Sequence, residues 1–163
     1  MKELLFFILG FIPLVASFPM ESMVSAETVD AKFYWLIALG FYIFWGVLGF
    51  IAYDKKKIEK HFIIFIHFPA FLCLVLIFVQ DVILNSYWLT TLGVLTQLFY
   101  SVMNHLSEKI VLLLKIPFST MNNLFVIYLV SFILMFVSFL AGVKLKVGKK
   151  PAKAVEATES VKE

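Results

Sequence analysis

Arginine is absent from this 163-residue chain, so every one of its 14 basic residues is lysine. Without guanidinium forks the chain lacks the side chain that grips phosphates and carboxylates bidentately. That weighs against nucleic acid or a nucleotide as partner, despite a net charge of +3. Cysteine occurs once, as Cys73 in an apolar run. It excludes an intrachain disulfide, and no neighbour activates the thiol, so it reads as buried and inert. Charged residues make up only 15% of the chain, against 62% hydrophobic. A soluble domain averages about 45–50% apolar residues. This chain has too little polar surface to cover a water-soluble globule. Also missing are a Cys/His metal spacing, a P-loop, a G-x-S-x-G elbow and paired buried carboxylates. Ser107-Glu108-Lys109 has no catalytic context. No resident metal or enzyme class is indicated.

What remains is long apolar runs. Four stretches approach or reach the length of a bilayer crossing, about 20 helical residues. They are residues 4–20, 33–53, 62–84 and 124–143. None alternates with the period of two that barrel strands require. The fold class expected is an all-α integral membrane protein with four transmembrane helices. The first stretch has a second reading. Lys2, an apolar core and Val24-Ser25-Ala26 before Glu27 have the layout of a cleaved signal peptide covering residues 1–26.

Lysine placement sets the orientation. Lys55, Lys56, Lys57 and Lys60 separate the second and third stretches, and Lys144, Lys146, Lys149, Lys150 and Lys153 follow the fourth. Basic juxtamembrane segments stay cytoplasmic. The segment between the first two stretches carries Glu21, Glu27 and Asp30 and suits the outside. Four crossings satisfy all three segments. The expected location is a cytoplasmic (inner) membrane, multi-pass, with the C-terminus inside. Residues 144–163 are small, charged and Pro-broken, and are expected to form a disordered cytoplasmic tail.

Residues 90–116 are harder to place. On a helix turning 100° per residue, Thr90, Gln97, Ser101, Asn104, Glu108 and Lys115 fall on one narrow stripe. Most of the remaining circumference is apolar, and Pro117 ends the helix. This predicts a long amphipathic helix on the outer face, lying along the interface or packed over the bundle, with its stripe toward water. A fifth crossing or a re-entrant hairpin is the alternative, and a fifth crossing would send one lysine segment to the wrong side.

Helices in lipid associate by close packing. Ala38, Gly46 and Gly49 in the second stretch, and Ser131, Ser138 and Gly142 in the fourth, mark two packing faces. Intramembrane polar groups are functional candidates by default. His67 is the foremost, as a haem ligand or a contact for a quinone headgroup, with His105 as a second imidazole. Asp81 lies 14 residues beyond His67, about 21 Å along a helix, and is expected to reach interfacial water.

Three functions compete on these residues. The leading one is a small non-enzymatic membrane subunit, an accessory that binds other membrane proteins or further copies of itself through lateral helix faces. The second is an oligomeric pore or transporter component lined by the polar stripe. The third is a redox subunit holding haem or quinone at His67.

Overall fold

The computed structural model describes residues 2–25, 33–52, 60–86, 88, 90–114 and 122–148. The described residues form helices and no strand. The elements are α1 (Lys2–Leu9), α2 (Ile12–Ser25), α3 (Tyr34–Ala52), α4 (Lys60–Phe78), α5 (Thr91–Leu113) and α6 (Asn122–Gly148). A single π-helical turn, Val79–Ile83, continues α4. Four helical stretches are long and apolar enough to cross a membrane: Leu4–Val24, Tyr34–Ala52, Ile63–Ile83 and Leu124–Val147.

The first of these is broken at Gly10, where α1 gives way to α2. A Cβ on Gly10 would meet the Ile66 carbonyl at 2.6 Å and the Pro69 ring at 3.0 Å. The break therefore nests on α4 beside its proline. Pro13 stands near the start of α2, where a missing N–H is tolerated.

Contacts fix the helix directions. A Cβ on Gly142 would run into the Gly46 carbonyl, and one on Gly49 into the carbonyl of Phe139. Further along, Lys146 Nζ donates to the Ile51 carbonyl at 3.3 Å. Rising numbers on α3 thus meet rising numbers on α6, so the two run parallel. On α4, Phe71 meets Phe132 (centroids 6.3 Å apart) and Phe78 meets Phe125 (5.2 Å), so α4 runs the opposite way. The α1–α2 stretch runs with α4, since Phe7 meets Phe68 and Met23 accepts from the Tyr34 hydroxyl. One end of the bundle gathers Met23, Tyr34, Asp81 and Phe125. The other gathers Ala52, Lys60 and Gly148.

α5 begins at the Tyr34 end and reaches into the bundle, where the Tyr100 hydroxyl donates to the Ala70 carbonyl in the middle of α4. Its early residues Thr96 and Gln97 meet Gln80 at the end of α4. Its later residues His105 and Lys109 lie against Tyr34 and Trp35 at the start of α3. α6 starts at the end α4 has reached, and α5 is not among the four stretches long and apolar enough to cross a membrane. Nor is α5 separate from the bundle. It packs on α2, α3, α4 and α6. Phe99, Tyr100, Val102, Met103 and Val111 are buried.

At the other end, α6 continues five residues past the expected limit of Val143. The Lys146 ammonium caps the Ile51 carbonyl and sits 5.4 Å from the Phe50 ring centroid. Lys115, Pro117 and the tail from residue 149 lie outside the described residues, as do Ala26 of the cut site and the lysines at 55–57.

The α3–α6 contact yields a first prediction. Gly142→Ala should lower stability by about 1–3 kcal/mol, because the methyl meets backbone that cannot move aside. Gly40→Ala, at a site open for 4 Å around, should leave stability unchanged or raise it by up to about 1 kcal/mol. Chemical unfolding in detergent micelles measures both.

Candidate functional site

In hydrocarbon every polar group needs an internal partner. Three groups stand out in the described bundle, beside single bonds such as Ser17 to the Pro13 carbonyl and Tyr100 to the Ala70 carbonyl.

The first joins α4, α5 and α6. Gln80 and Asp81 are neighbours in sequence, yet both are 0% exposed. The π-helical turn carries them, a local widening that recurs at functional positions. Asn85 then takes a left-handed φ of 46°, which asparagine tolerates, and Ser86 N–H donates to the Gln80 carbonyl. The Gln80 amide donates to Thr96 Oγ1 at 3.2 Å, and its oxygen accepts from Gln97 and from the Trp88 backbone. Asp81 Oδ2 accepts from Phe125 N–H at 2.8 Å, near the start of α6. A carboxylate suits that position, because helix N-termini present unpaired N–H groups and positive partial charge. Asp81 was expected in interfacial water, and the structure buries it instead.

The second group is a chain of hydroxyls between α3, α5 and α6. Tyr42 Oη lies 3.0 Å from Ser107 Oγ, which lies 2.7 Å from Ser131 Oγ. Ser131 also reaches the Ile127 carbonyl at 3.0 Å and Asn104 Oδ1 at 3.4 Å.

The third is His67. Trp45 Nε1–H points at His67 Nε2 (3.3 Å), and His67 Nδ1 lies 2.9 Å from the Ile63 carbonyl. Indole N–H can only donate and a carbonyl can only accept. Nε2 is therefore the acceptor and Nδ1 carries the hydrogen. Both nitrogens are engaged within the bundle. Phe136 and Phe139 stand edge-on to the ring at 5.1 and 5.0 Å. His105 is elsewhere, stacked on Tyr34 with centroids 5.0 Å apart. Tyr34 and Trp45 are 11 residues apart on α3, about 16 Å along the axis. The two imidazoles therefore do not face one centre, and His67 would have to give up a hydrogen bond to ligate iron or donate to a quinone.

The polar stripe is divided in use. Thr90 is exposed and caps α5, accepting from Gly93 N–H at 3.3 Å. Glu108 is exposed, while Gln97, Ser101 and Asn104 are half-buried. Gln97 bonds to Gln80 in the π-helical turn and Asn104 accepts from Ser131 on α6. Ser101 Oγ is the buried side-chain polar atom among the described residues left without a partner.

The packing candidates sort by helix. Gly46, Gly49, Ser138 and Gly142 form the α3–α6 contact. Ala38 is fully buried, and Ser131 belongs to the hydroxyl chain. Thr96 and Ser107 escaped the sequence reading because they sit on the apolar face of α5, with Tyr100 and Met103. The available signal was their spacing of i, i+4, i+7 and i+11, a buried face interrupted by hydroxyls.

No family model, curated protein or solved structure matches this chain. Its function is argued from these contacts alone.

Ser131→Ala tests the hydroxyl chain. It should destabilise the bundle by about 0.6–1.7 kcal/mol, the range for hydrogen bonds between helices in lipid. Tyr42→Phe in the Ser131→Ala background should cost less than Tyr42→Phe alone, read by the same unfolding assay as a double-mutant cycle.

Proposed function

We propose that this protein is an accessory subunit of a membrane complex, which docks a transmembrane helix of another protein on the outward face of α3. The observation that carries the reading is Gly40. Five other helix-associated glycines, Gly10, Gly46, Gly49, Gly93 and Gly142, have a neighbouring backbone where a Cβ would stand. Gly40 has nothing within 4 Å. Glycine costs about 1 kcal/mol relative to alanine inside a helix, and no contact among the described residues accounts for it here. Leu36, Ile43 and Val47 share its face and are 42%, 61% and 48% exposed. A glycine notch between aliphatic side chains is the surface on which a second helix packs closely.

In this reading the chain crosses a cytoplasmic membrane four times. Support comes from connectivity: α3 ends, α4 begins and α6 ends at the same end of the bundle. The lysine-rich segments leave from there, and basic segments stay inside. α5 then lies on the outer side. The first stretch is a retained span rather than a removed leader, supported by its packing: α1 packs on α4 and α2 on α5, and Ser17 and Met20 of α2 are 0% and 3% exposed.

Gly40→Ile should leave thermal unfolding intact while reducing the partner recovered with the tagged protein at least tenfold. A partner retained by Gly40→Ile, or wild-type protein isolated from mild detergent as a lone monomer, overturns the docking surface. Sidedness is checked with a membrane-impermeant thiol reagent on cells expressing Cys73→Ser variants. Glu108→Cys should label in intact cells, and Ser160→Cys only after permeabilisation.

A further inference from the structure

Between α4 and α6 lies a groove of about 380 Å³, lined by Ile63, Ile64, His67, Phe68, Phe71, Phe132 and Phe136. We propose that it holds one acyl chain of an anionic phospholipid, whose headgroup rests at the lysine-bearing end of the bundle.

The lining is apolar throughout. Even His67 adds no free polar atom, since both its nitrogens are bonded to Trp45 and Ile63. The groove opens outward, with Ile64, Phe68 and Phe71 46–60% exposed at its rim. From Ile63 to Phe71 it runs about 12 Å along the axis of α4. Its walls are the aromatic and branched side chains of α4 and α6, against which a flexible hydrocarbon chain packs by adjusting its own torsions. Its axis follows the helices, as lipid chains do.

Charge selects the headgroup. Ile63 and Ile64 mark the groove's mouth, one turn from Lys60 at the start of α4. On α6, Lys144 is exposed and stands two turns beyond Phe136 toward the same end. Lys146 is there as well, held by Ile51 and Phe50. Lysines at a membrane surface attract anionic lipid.

Trp45 reports on the site, because it is 0% exposed and bonded to the groove-lining His67. The full chain carrying Trp35→Phe and Trp88→Phe is reconstituted in vesicles containing a small, equal fraction of brominated lipid. Brominated phosphatidylglycerol in a phosphatidylcholine background should quench Trp45 several-fold more than brominated phosphatidylcholine in the same background. Lys60→Gln with Lys144→Gln should equalise the two lipids while leaving quenching in place. Native mass spectrometry of the unaltered chain provides a readout independent of these substitutions. Phosphatidylglycerol should be retained over phosphatidylcholine by about fivefold or more, the effect of one lysine near a surface. Equal quenching by both lipids, no quenching, or a preference that survives the double lysine variant overturns the proposal.

Discussion

At the α3–α6 crossing, the carbonyl of Gly46 occupies the space in which Gly142 would carry a side chain. Lipid chains are as apolar as leucine, so two helices in a membrane gain little from burying leucine against each other. They gain from approach, and glycine permits the closest approach. This contact joins two helices that run in the same direction. Parallel neighbours cannot be linked by a short turn. The chain between them must return once through the bundle. α4 makes the return and ends beside the start of α6, where Asp81 accepts from Phe125 N–H. α5 is inserted between these two adjacent ends.

Polar residues tie α5 to its neighbours. The π-helical turn at the end of α4 places two consecutive polar residues inward. Gln80 reaches α5 through Thr96 and Gln97, and Asp81 reaches the start of α6. One turn of chain therefore ties down both segments that follow it. Farther along, Ser107 and Asn104 fasten α5 to α3 and α6 through Tyr42 and Ser131. Interhelical hydrogen bonds in lipid are individually modest. Their value here is direction, since each is satisfied in only one register of α5.

Much of this architecture is legible in the residues, and the illegible part has a physical cause. Long apolar runs locate four stretches because span length is set by bilayer thickness and needs no tertiary information. Small residues at helical spacing point to the α3–α6 faces for the same local reason. The stripe from Thr90 to Glu108 was legible as a stripe but not as to its surroundings. Whether Gln97 or Asn104 meets water or another helix depends on Gln80 and Ser131, which are 17 and 27 residues away. Asp81 stands near the end of its span, where position alone points to interfacial water, and its burial depends on Phe125, 44 residues away. The break at Gly10 was hidden likewise, since its cause lies on α4 at Ile66 and Pro69.

α3 carries glycines on two sides. Gly40 and Gly49 are nine residues apart, which at 3.6 residues per turn places them on opposite faces of the helix. Gly49 is filled by the backbone of α6, and Gly40 faces open space. The helix thus repeats outward the feature that it uses inward. Bulky side chains on the outer face of α3 would suffice for contact with lipid, as they do at Ile43 and Val47. A missing side chain at the centre of that face leaves a hollow that flexible lipid fills without needing it. A rigid neighbour needs it, because two helices come within close-packing distance only where one of them gives way. The same reasoning separates α3 from the α4–α6 groove, whose walls are large aromatic rings rather than absent ones. The outward face of α3 is thus a notch of backbone between aliphatic side chains, and the α4–α6 groove is a slot between phenylalanines.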